Sequence, residues 1–287
     1  MLKESVNSFY QLQKLRIQMG NRIVAAFKQK LGQEPSTPEE ELCPESQQIL
    51  KDYRACFKRI ADTIATVKSD YQFPADSLIT DFAELSMVRQ YVKVLDAEET
   101  TLKDITKAIT GHPVTVFAEK VKGMGVLMSA VIISEFDIHR CHYASTMWAY
   151  AGLDVLITEE GGEGRCKKEH HLVERTYLDK KGKEAKRMGI TFNPFLKTKL
   201  VGVLGSCLLK ANDPTYRPIY DGYKNRIENH PKHAEKTKAH RHNMAVRYMI
   251  KQLLVDLYKE WRTAEGLEVH APYHEAKLGM VHHSRAA

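Results

Sequence analysis

The sequence predicts a mainly α-helical protein, with a helical arm over residues 1–112 and a second domain over residues 113–287 that contains a helix-hairpin-helix and a small β-hairpin. Three observations predict it. Apolar residues recur at helical intervals through the first 110 residues. A Gly-x-Gly turn separates two apolar segments soon after Pro113. A lysine-rich segment near residue 180 has the alternating pattern of two β-strands joined by a turn at a glycine.

The arm is predicted to contain long helices with few turn residues. The first carries an apolar series at helical spacing: Tyr10, Leu12, Leu15, Ile17, Met19, Ile23, Val24 and Phe27. The second follows the break "GQEPSTPEEEL", where Thr37 can cap a helix and Pro38 suits its first turn. The third runs over "AELSMVRQYVKVLDAEETTLKDITKAIT" and ends at Gly111. Such arms pack or dimerise, so we expect a homo-oligomer formed through these helices.

Composition and charge indicate a folded protein with an anionic partner. Hydrophobic residues make up 43% of the chain and charged residues 28%, which allows a buried core and argues against wholesale disorder. The formal net charge is +7 and the sequence pI about 9.0. This balance favours nucleic acid or an anionic surface as the partner.

The cysteines and the N-terminus predict a soluble, cytoplasmic protein without a membrane partner. Five cysteines are scattered without a CxxC pair, as in reduced intracellular proteins. They are Cys43, Cys56, Cys141, Cys166 and Cys207. The N-terminal "MLKESVNSFYQLQKLR" lacks the apolar core of a signal peptide, and no apolar run approaches the length that spans a bilayer.

The stretch "VKGMGVLMSAVIISEFDIH" follows a short predicted helix, "VTVFAEKV". Helix, Gly-x-Gly turn and helix form a helix-hairpin-helix pattern. Gly123 and Gly125 permit close backbone approach, and the free amides and dipole of the second helix can bind phosphate. Lys122 adds positive charge beside the turn. A tight helical hairpin without a ligand accounts for the pattern equally well, so both interpretations stay open.

The segment "VERTYLDKKGKEAKRM" predicts a β-hairpin that turns at Lys181-Gly182. Lys180, Lys181 and Lys183 surround the turn and are predicted phosphate contacts. Lysine clusters of this kind give salt-dependent, sequence-tolerant affinity for nucleic acid. The alternative is a solvated loop.

Two further helices are predicted after the β-hairpin. The first begins at Asn193 as a cap, carries the candidate contact Lys197, and buries Leu200, Val203, Leu204 and Leu208. The last helix packs through one face. That face contains Ile250, Leu254, Leu257 and Trp261.

The entry of the last helix is basic. We expect Arg241, His242 and Arg247 to face solvent or DNA there, although His240 and His242 could also do acid–base work. Another histidine-rich stretch contains His139, Cys141 and His142, but their spacing matches no common tetrahedral zinc pattern. No metal site or cofactor is therefore expected from it.

Four sequence blocks together carry a family resemblance. They are "VKGMGVLMSAVIISEFDIHR", "TMWAYAGLDV", "GITFNPFLKTKLVGVLGSCLLK" and "AHRHNMAVRYMIKQLLVDLYKEWR" with "EGLEV". In order and spacing they resemble the C-terminal transposase domain of the IS-one-ten insertion-sequence family, which includes the Piv-type DNA invertases. The resemblance covers roughly residues 113–270. It implies DNA binding in transposition or site-specific recombination.

The chain departs from that family at both catalytic features. Family members begin with a RuvC-like domain that carries four acidic residues, and here a helical arm stands in its place. The family's loop after Ala-Gly-Leu carries a Ser-Gly whose serine is the implied nucleophile, but this loop contains no serine. Cys166, which adjoins Lys167 and Lys168, and Ser206, which we expect to face the core, are the candidate replacements. Magnesium is expected only if the protein is catalytic.

The resemblance, together with the basic charge, therefore implies a DNA-binding, transposase- or recombinase-like protein of a mobile element. One alternative is a catalytically inactive DNA-bridging or accessory protein that kept this scaffold. A second is an RNA-binding module, because a phosphate-binding turn and a basic loop serve either polymer.

Overall fold

The computed structural model describes residues 1–63, 71–73, 79–154 and 172–271. The described chain is mainly helical and has one two-stranded antiparallel sheet, so the predicted fold class is confirmed. It divides into two compact units, Met1–Ala108 and Ile109–Ala287. Within the described residues, no helix combines the length and the apolar character needed to cross a membrane.

The first unit contains three long helices. They are α1 (Leu2–Lys30), α2 (Pro44–Thr63) and α3 (Phe82–Ile109), whose last residue belongs to the second unit. The helix start predicted at Thr37 and Pro38 was wrong. Only a 3-10 turn, Glu39–Glu41, follows Pro38, and α2 begins at Pro44. Because a proline inside a helix loses a hydrogen bond and clashes with the preceding turn, a helix begun at Pro38 cannot continue through Pro44.

The core of the first unit joins the three helices through apolar and aromatic packing. Phe27 stacks on Tyr53 with 4.1 Å between ring centroids, and Phe57 meets Tyr53 edge-on. Burial raises the pKa of Tyr53 to about 12. Leu15 and Ile17, which belong to the predicted apolar series of the first helix, are exposed. Dimerisation through this unit stays a prediction.

The second unit is built around one long helix. Its elements are α4 (Pro113–Glu119), α5 (Val126–Glu135), α6 (Ala144–Tyr150), β1 (Leu172–Leu178), β2 (Glu184–Ile190), α7 (Pro194–Lys197), a π-helical segment (Thr198–Leu204), α8 (Gly205–Ala211), α9 (Tyr216–Glu228) and α10 (Lys238–Ala264). Helices α4, α6, α8 and α9 all pack on α10. The predicted core face of α10 is confirmed, since Ile250, Leu254, Leu257 and Trp261 are buried.

Two side chains of α10 hold the loop that follows α5. The Tyr258 hydroxyl donates to the His142 carbonyl at 2.5 Å. The buried Arg262 guanidinium donates to the carbonyls of Ile138 and Cys141 at 3.1 and 3.0 Å. Burial also raises the pKa of the Cys141 thiol to about 11, which makes it a poor nucleophile. This loop is therefore packed on α10 as part of the structure.

The helical stretch from α7 to α8 corrects two predictions. Leu200, Leu204 and Leu208 are buried as predicted, but Val203 is 41% exposed. Ser206, predicted to face the core, is also exposed and donates a hydrogen bond to the Gly202 carbonyl at 2.9 Å. The π-helical segment has i→i+5 bonding, which widens the turn. Residues four apart in sequence, such as Leu200, Leu204 and Leu208, therefore share the buried face. Val203 is only three residues after Leu200, so its side chain falls outside that face.

Because Leu204 is buried and Val203 is exposed, truncating the two side chains should lower the free energy of unfolding by different amounts. Leu204→Ala should lower the free energy of unfolding by about 2–5 kcal/mol, because it leaves a cavity beneath the helix. Val203→Ala should lower it by less than about 1 kcal/mol, because the valine is partly solvated. Urea denaturation followed by circular dichroism measures both. Equal losses would contradict the described phase.

Candidate nucleic-acid interface

The turn between α4 and α5 is fixed by a buried carboxylate on another element. Asp213 is 1% exposed, and its Oδ2 accepts a hydrogen bond from the Lys122 amide at 2.8 Å. Its Oδ1 accepts from the amides of Thr215 and Tyr216, at 2.9 and 2.8 Å, at the start of α9. One side chain therefore joins the hairpin turn to α9. Sequence reasoning missed Asp213, although an aspartate just before a helix is a known capping signal.

The two glycines of the turn have different environments. Gly123 has φ +93°, and a Cβ there would lie 2.7 Å from the Cys207 carbonyl oxygen and 3.1 Å from the Ala211 Cβ. Packing on α8 therefore requires this glycine. Gly125 is exposed at the start of α5, and a Cβ there would meet nothing within 4 Å. The turn thus presents Gly125 and the exposed Lys122 to solvent, while Gly123 serves the packing.

The β-hairpin ends in a basic turn. The Asp179 amide donates to the Lys183 carbonyl at 2.8 Å, and Gly182, with φ +74°, supplies the left-handed residue of the bulged turn. The Asp179 carboxylate accepts from the amides of Lys181 and Lys183 at 2.7 and 2.9 Å. Lys180, Lys181 and Lys183 are all exposed. We call residues 172–190 the ribbon and residues 179–183 its tip.

Both faces of the ribbon are exposed. Leu178 and Met188 on one face are 68% and 59% exposed, and Val173 and Tyr177 on the other are also exposed. A sheet that covered a core would bury one of its faces. The ribbon therefore offers two surfaces that the core of the second unit does not use.

The start of α7 is tied to two other helices. The Asn193 side chain accepts from the Leu196 amide at 3.1 Å, which confirms the predicted cap. The side-chain Nδ2 of Asn193 donates to Glu135 Oε2 at 2.6 Å, and the backbone amide of Asn193 donates to the Tyr150 carbonyl at 2.8 Å. Asn193 thereby connects α5, α6 and α7.

The predicted contact Lys197 lies against an aromatic ring. Its ammonium is 4.3 Å from the centroid of the Phe192 ring, and Lys197 is partly buried. The same ring packs on Gly152, where a Cβ would approach it to 2.6 Å. Gly152, with φ +64°, lies just after the end of α6. Burial also lowers the pKa of Lys199, two residues further along the chain.

An aromatic and basic cluster lies between α9 and α10. Tyr223 and Tyr248 stack with 4.2 Å between centroids, and the Arg226 guanidinium lies 4.7 Å from the Tyr223 centroid. The predicted contact His242 shares a 2.7 Å hydrogen bond with the Tyr220 hydroxyl. Sequence reasoning missed the tyrosine stack, because its members are far apart in sequence and only the antiparallel pairing of the helices brings them together.

The two predicted arginines of α10 are less exposed than expected. Arg241 and Arg247 are only partly exposed, whereas His242 is exposed. The Arg241 Nη1 lies 3.5 Å from the carbonyls of His233 and Ala234. Within the described part of the chain, the Nε of Arg241 and the Nε and Nη1 of Arg247 are buried without a hydrogen-bond partner. Buried unpaired guanidinium groups are unfavourable unless an acceptor meets them.

Of the two candidate catalytic residues, only Ser206 belongs to the described part of the chain. Ser206 is exposed on α8, and Cys166 lies outside the described residues. Within residues 1–63, 71–73, 79–154 and 172–271, no group of three or more His, Cys, Asp or Glu side chains is placed to hold a metal ion. No protein-family model, curated protein or solved structure matches the chain. The resemblance to the transposase domain therefore rests on the four sequence blocks alone.

The environments of the two hairpin glycines predict opposite tolerance of a side chain. Gly123→Ala should destabilise the protein by at least about 1–2 kcal/mol, because a positive φ disfavours any Cβ and this one meets the α8 backbone. Gly125→Ala should stay within about 1 kcal/mol of the parent. Thermal and urea unfolding measure both. A stable Gly123→Ala protein would show that the turn does not pack on α8 as described.

Proposed function

We propose that this chain is a DNA-binding protein whose second unit acts as a transposase- or recombinase-like DNA-binding domain. The observation that carries the proposal is the ribbon tip. Three exposed lysines lie within five residues there, and the one carboxylate among them, Asp179, is engaged by backbone amides of the turn. Such a tip attracts phosphates without local competition from an anionic partner.

Two other surfaces support the same function. Lys122 and Gly125 lie exposed in the turn that leads into α5, whose start has no side-chain cap among the described residues. Backbone amides at a helix start can donate to a phosphate there. On α9, Arg226 lies over the stacked Tyr223 and Tyr248, and the combination of arginine with aromatic rings is common where proteins contact nucleic acid.

The ribbon tip predicts a change in salt dependence. We expect Lys180→Gln, Lys181→Gln and Lys183→Gln together to flatten the slope of log affinity against log salt. The slope should fall by up to about 0.9 for each lost phosphate contact. Fluorescence anisotropy with a labelled DNA duplex, over a range of potassium chloride concentrations, measures it.

A control triple variant matches the loss of charge. Lys14→Gln, Lys51→Gln and Lys93→Gln remove three exposed lysines from helices of the first unit. The slope should stay close to that of the parent in this control. A tip variant with the parent slope would mean that the tip does not contact phosphates, and a parent that does not bind DNA at low salt would contradict the proposed function.

Binding without strand cleavage is the form of this function that the described residues favour. A serine nucleophile needs a base or a metal ion to activate it. The Ser206 hydroxyl instead donates to the Gly202 carbonyl of its own helix at 2.9 Å, a common role for serine in a helix. We therefore assign Ser206 a structural role and propose an accessory or DNA-bridging activity.

This assignment predicts that purified protein binds supercoiled and branched DNA but neither nicks nor joins it in magnesium. Ser206→Ala should bind DNA with the parent affinity, because the hydroxyl contacts only its own helix. Gel assays for nicks, joints and covalent adducts measure the activity. Strand exchange by the parent that Ser206→Ala or Cys166→Ala abolishes would overturn the accessory assignment and support a recombinase.

A further inference from the structure

The ribbon has one face whose charges are all positive. Residues paired directly across an antiparallel ladder share a face, and the register pairs Val173 with Gly189, Arg175 with Arg187, and Tyr177 with Ala185. We infer that this face, which we call the arginine face, enters the major groove of duplex DNA and contacts base edges. The inference rests on the proposed function, and it names the ribbon as the element that reads the DNA and duplex DNA as its ligand.

The pairing of the two arginines is unfavourable in the protein alone. Arg175 and Arg187 are exposed and directly opposite each other in the ladder. Like charges in this position destabilise a strand pair. Local conflicts of this kind are expected where function requires them. A polyanion placed over the face would turn the repulsion between the arginines into a shared attraction.

The acidic side chains of the strands lie on the opposite face. Glu174 pairs with Met188 in the register and forms a 2.8 Å ion pair with Lys186. Glu184 pairs with Leu178 on that same face. Neither carboxylate therefore shares the face that carries Arg175 and Arg187. The ribbon separates a mixed-charge face from a purely basic one.

Both guanidinium groups are already held in place. Arg175 Nη2 donates to the Ile190 carbonyl at 2.9 Å, and the side chain crosses Gly189, where a Cβ would lie 2.8 Å from the Arg175 Cδ. The Arg187 guanidinium lies 5.2 Å from the centroid of the Tyr177 ring. Each guanidinium keeps further N–H donors for a ligand. Ordering them before binding reduces the entropy lost on binding.

The size of the ribbon fits duplex DNA. Each strand has seven residues, and strands rise about 3.3 Å per residue, so the ribbon is roughly 20 Å long. The major groove of B-DNA, about 12 Å wide, admits a two-stranded β-ribbon, and arginine is the usual partner of guanine O6 and N7 in it. The deep, narrow major groove of A-form RNA excludes side chains, so the arginine face favours duplex DNA over duplex RNA.

Two neighbouring residues provide a matched test. Arg187→Gln and Lys186→Gln each remove one positive charge from β2, but from opposite faces of the ribbon. Anisotropy titrations with a G·C-rich duplex should show about a tenfold or greater loss of affinity for Arg187→Gln, the loss expected for a good arginine–guanine pair. Lys186→Gln should lose about threefold or less, because a single phosphate contact at most is removed. Equal losses would overturn the inference.

A modified duplex tests for the groove directly. Replacing guanine with 7-deazaguanine removes the major-groove N7 acceptor and leaves the phosphates unchanged. The parent should bind this duplex more weakly than the ordinary one, whereas Arg175→Gln/Arg187→Gln should bind both equally. A parent that binds both duplexes equally would overturn the major-groove assignment.

Two controls separate the outcomes. Arg187→Lys keeps the charge but loses the guanidinium fork, so its affinity should fall between those of Arg187→Gln and the parent. Amide hydrogen exchange in the ribbon of Arg187→Gln should be no faster than in the parent, because the variant relieves a like-charge pair. A parent protein that binds no DNA would refute the proposed function itself. A parent that binds DNA, with every arginine variant binding as tightly as the parent, would refute only the role of the arginine face.

Discussion

The buried carboxylate of Asp213 is the contact on which the arrangement of the second unit most depends. Its oxygens accept hydrogen bonds from amides of the hairpin turn and of the start of α9. It follows Asn212, the left-handed residue that caps the end of α8. Gly123 packs on α8 within the same turn. Without this carboxylate three buried or partly buried amides would lose their acceptor, and such donors are costly to leave unpaired. The exposed positions Lys122 and Gly125 are therefore placed by a residue that is itself buried.

The second unit separates its frame from the surfaces that we propose for DNA. Helix α10 supplies the frame through its buried face and through Arg262 and Tyr258, which hold the loop after α5. Two of the proposed DNA surfaces, the ribbon and the first turn of α5, lie outside this frame, whereas the stack of Tyr223 on Tyr248 lies along α10. Because both faces of the ribbon carry exposed side chains, those side chains can be substituted with little effect on the fold.

Periodicity and local capping signals predict the long helices, the Asn193 cap and the ribbon, because short-range rules determine each of them. They do not predict α9. They failed at Pro44, where a second proline moved the helix start, and at Val203 and Ser206, where a π-helical segment shifted the exposed face. The bond from the Lys122 amide to Asp213 and the stack of Tyr223 on Tyr248 depend on contacts between distant segments, which a single sequence does not contain.

Amide hydrogen exchange with and without a DNA duplex shows directly whether the second unit binds DNA through the ribbon, because it reports which segments the DNA covers. A saturating duplex should slow exchange in residues 172–190 and at the first turn of α5, while α2 in the first unit exchanges at its unbound rate. Protection that leaves the ribbon unchanged, or no protection anywhere under conditions of saturating binding, would contradict binding through the ribbon.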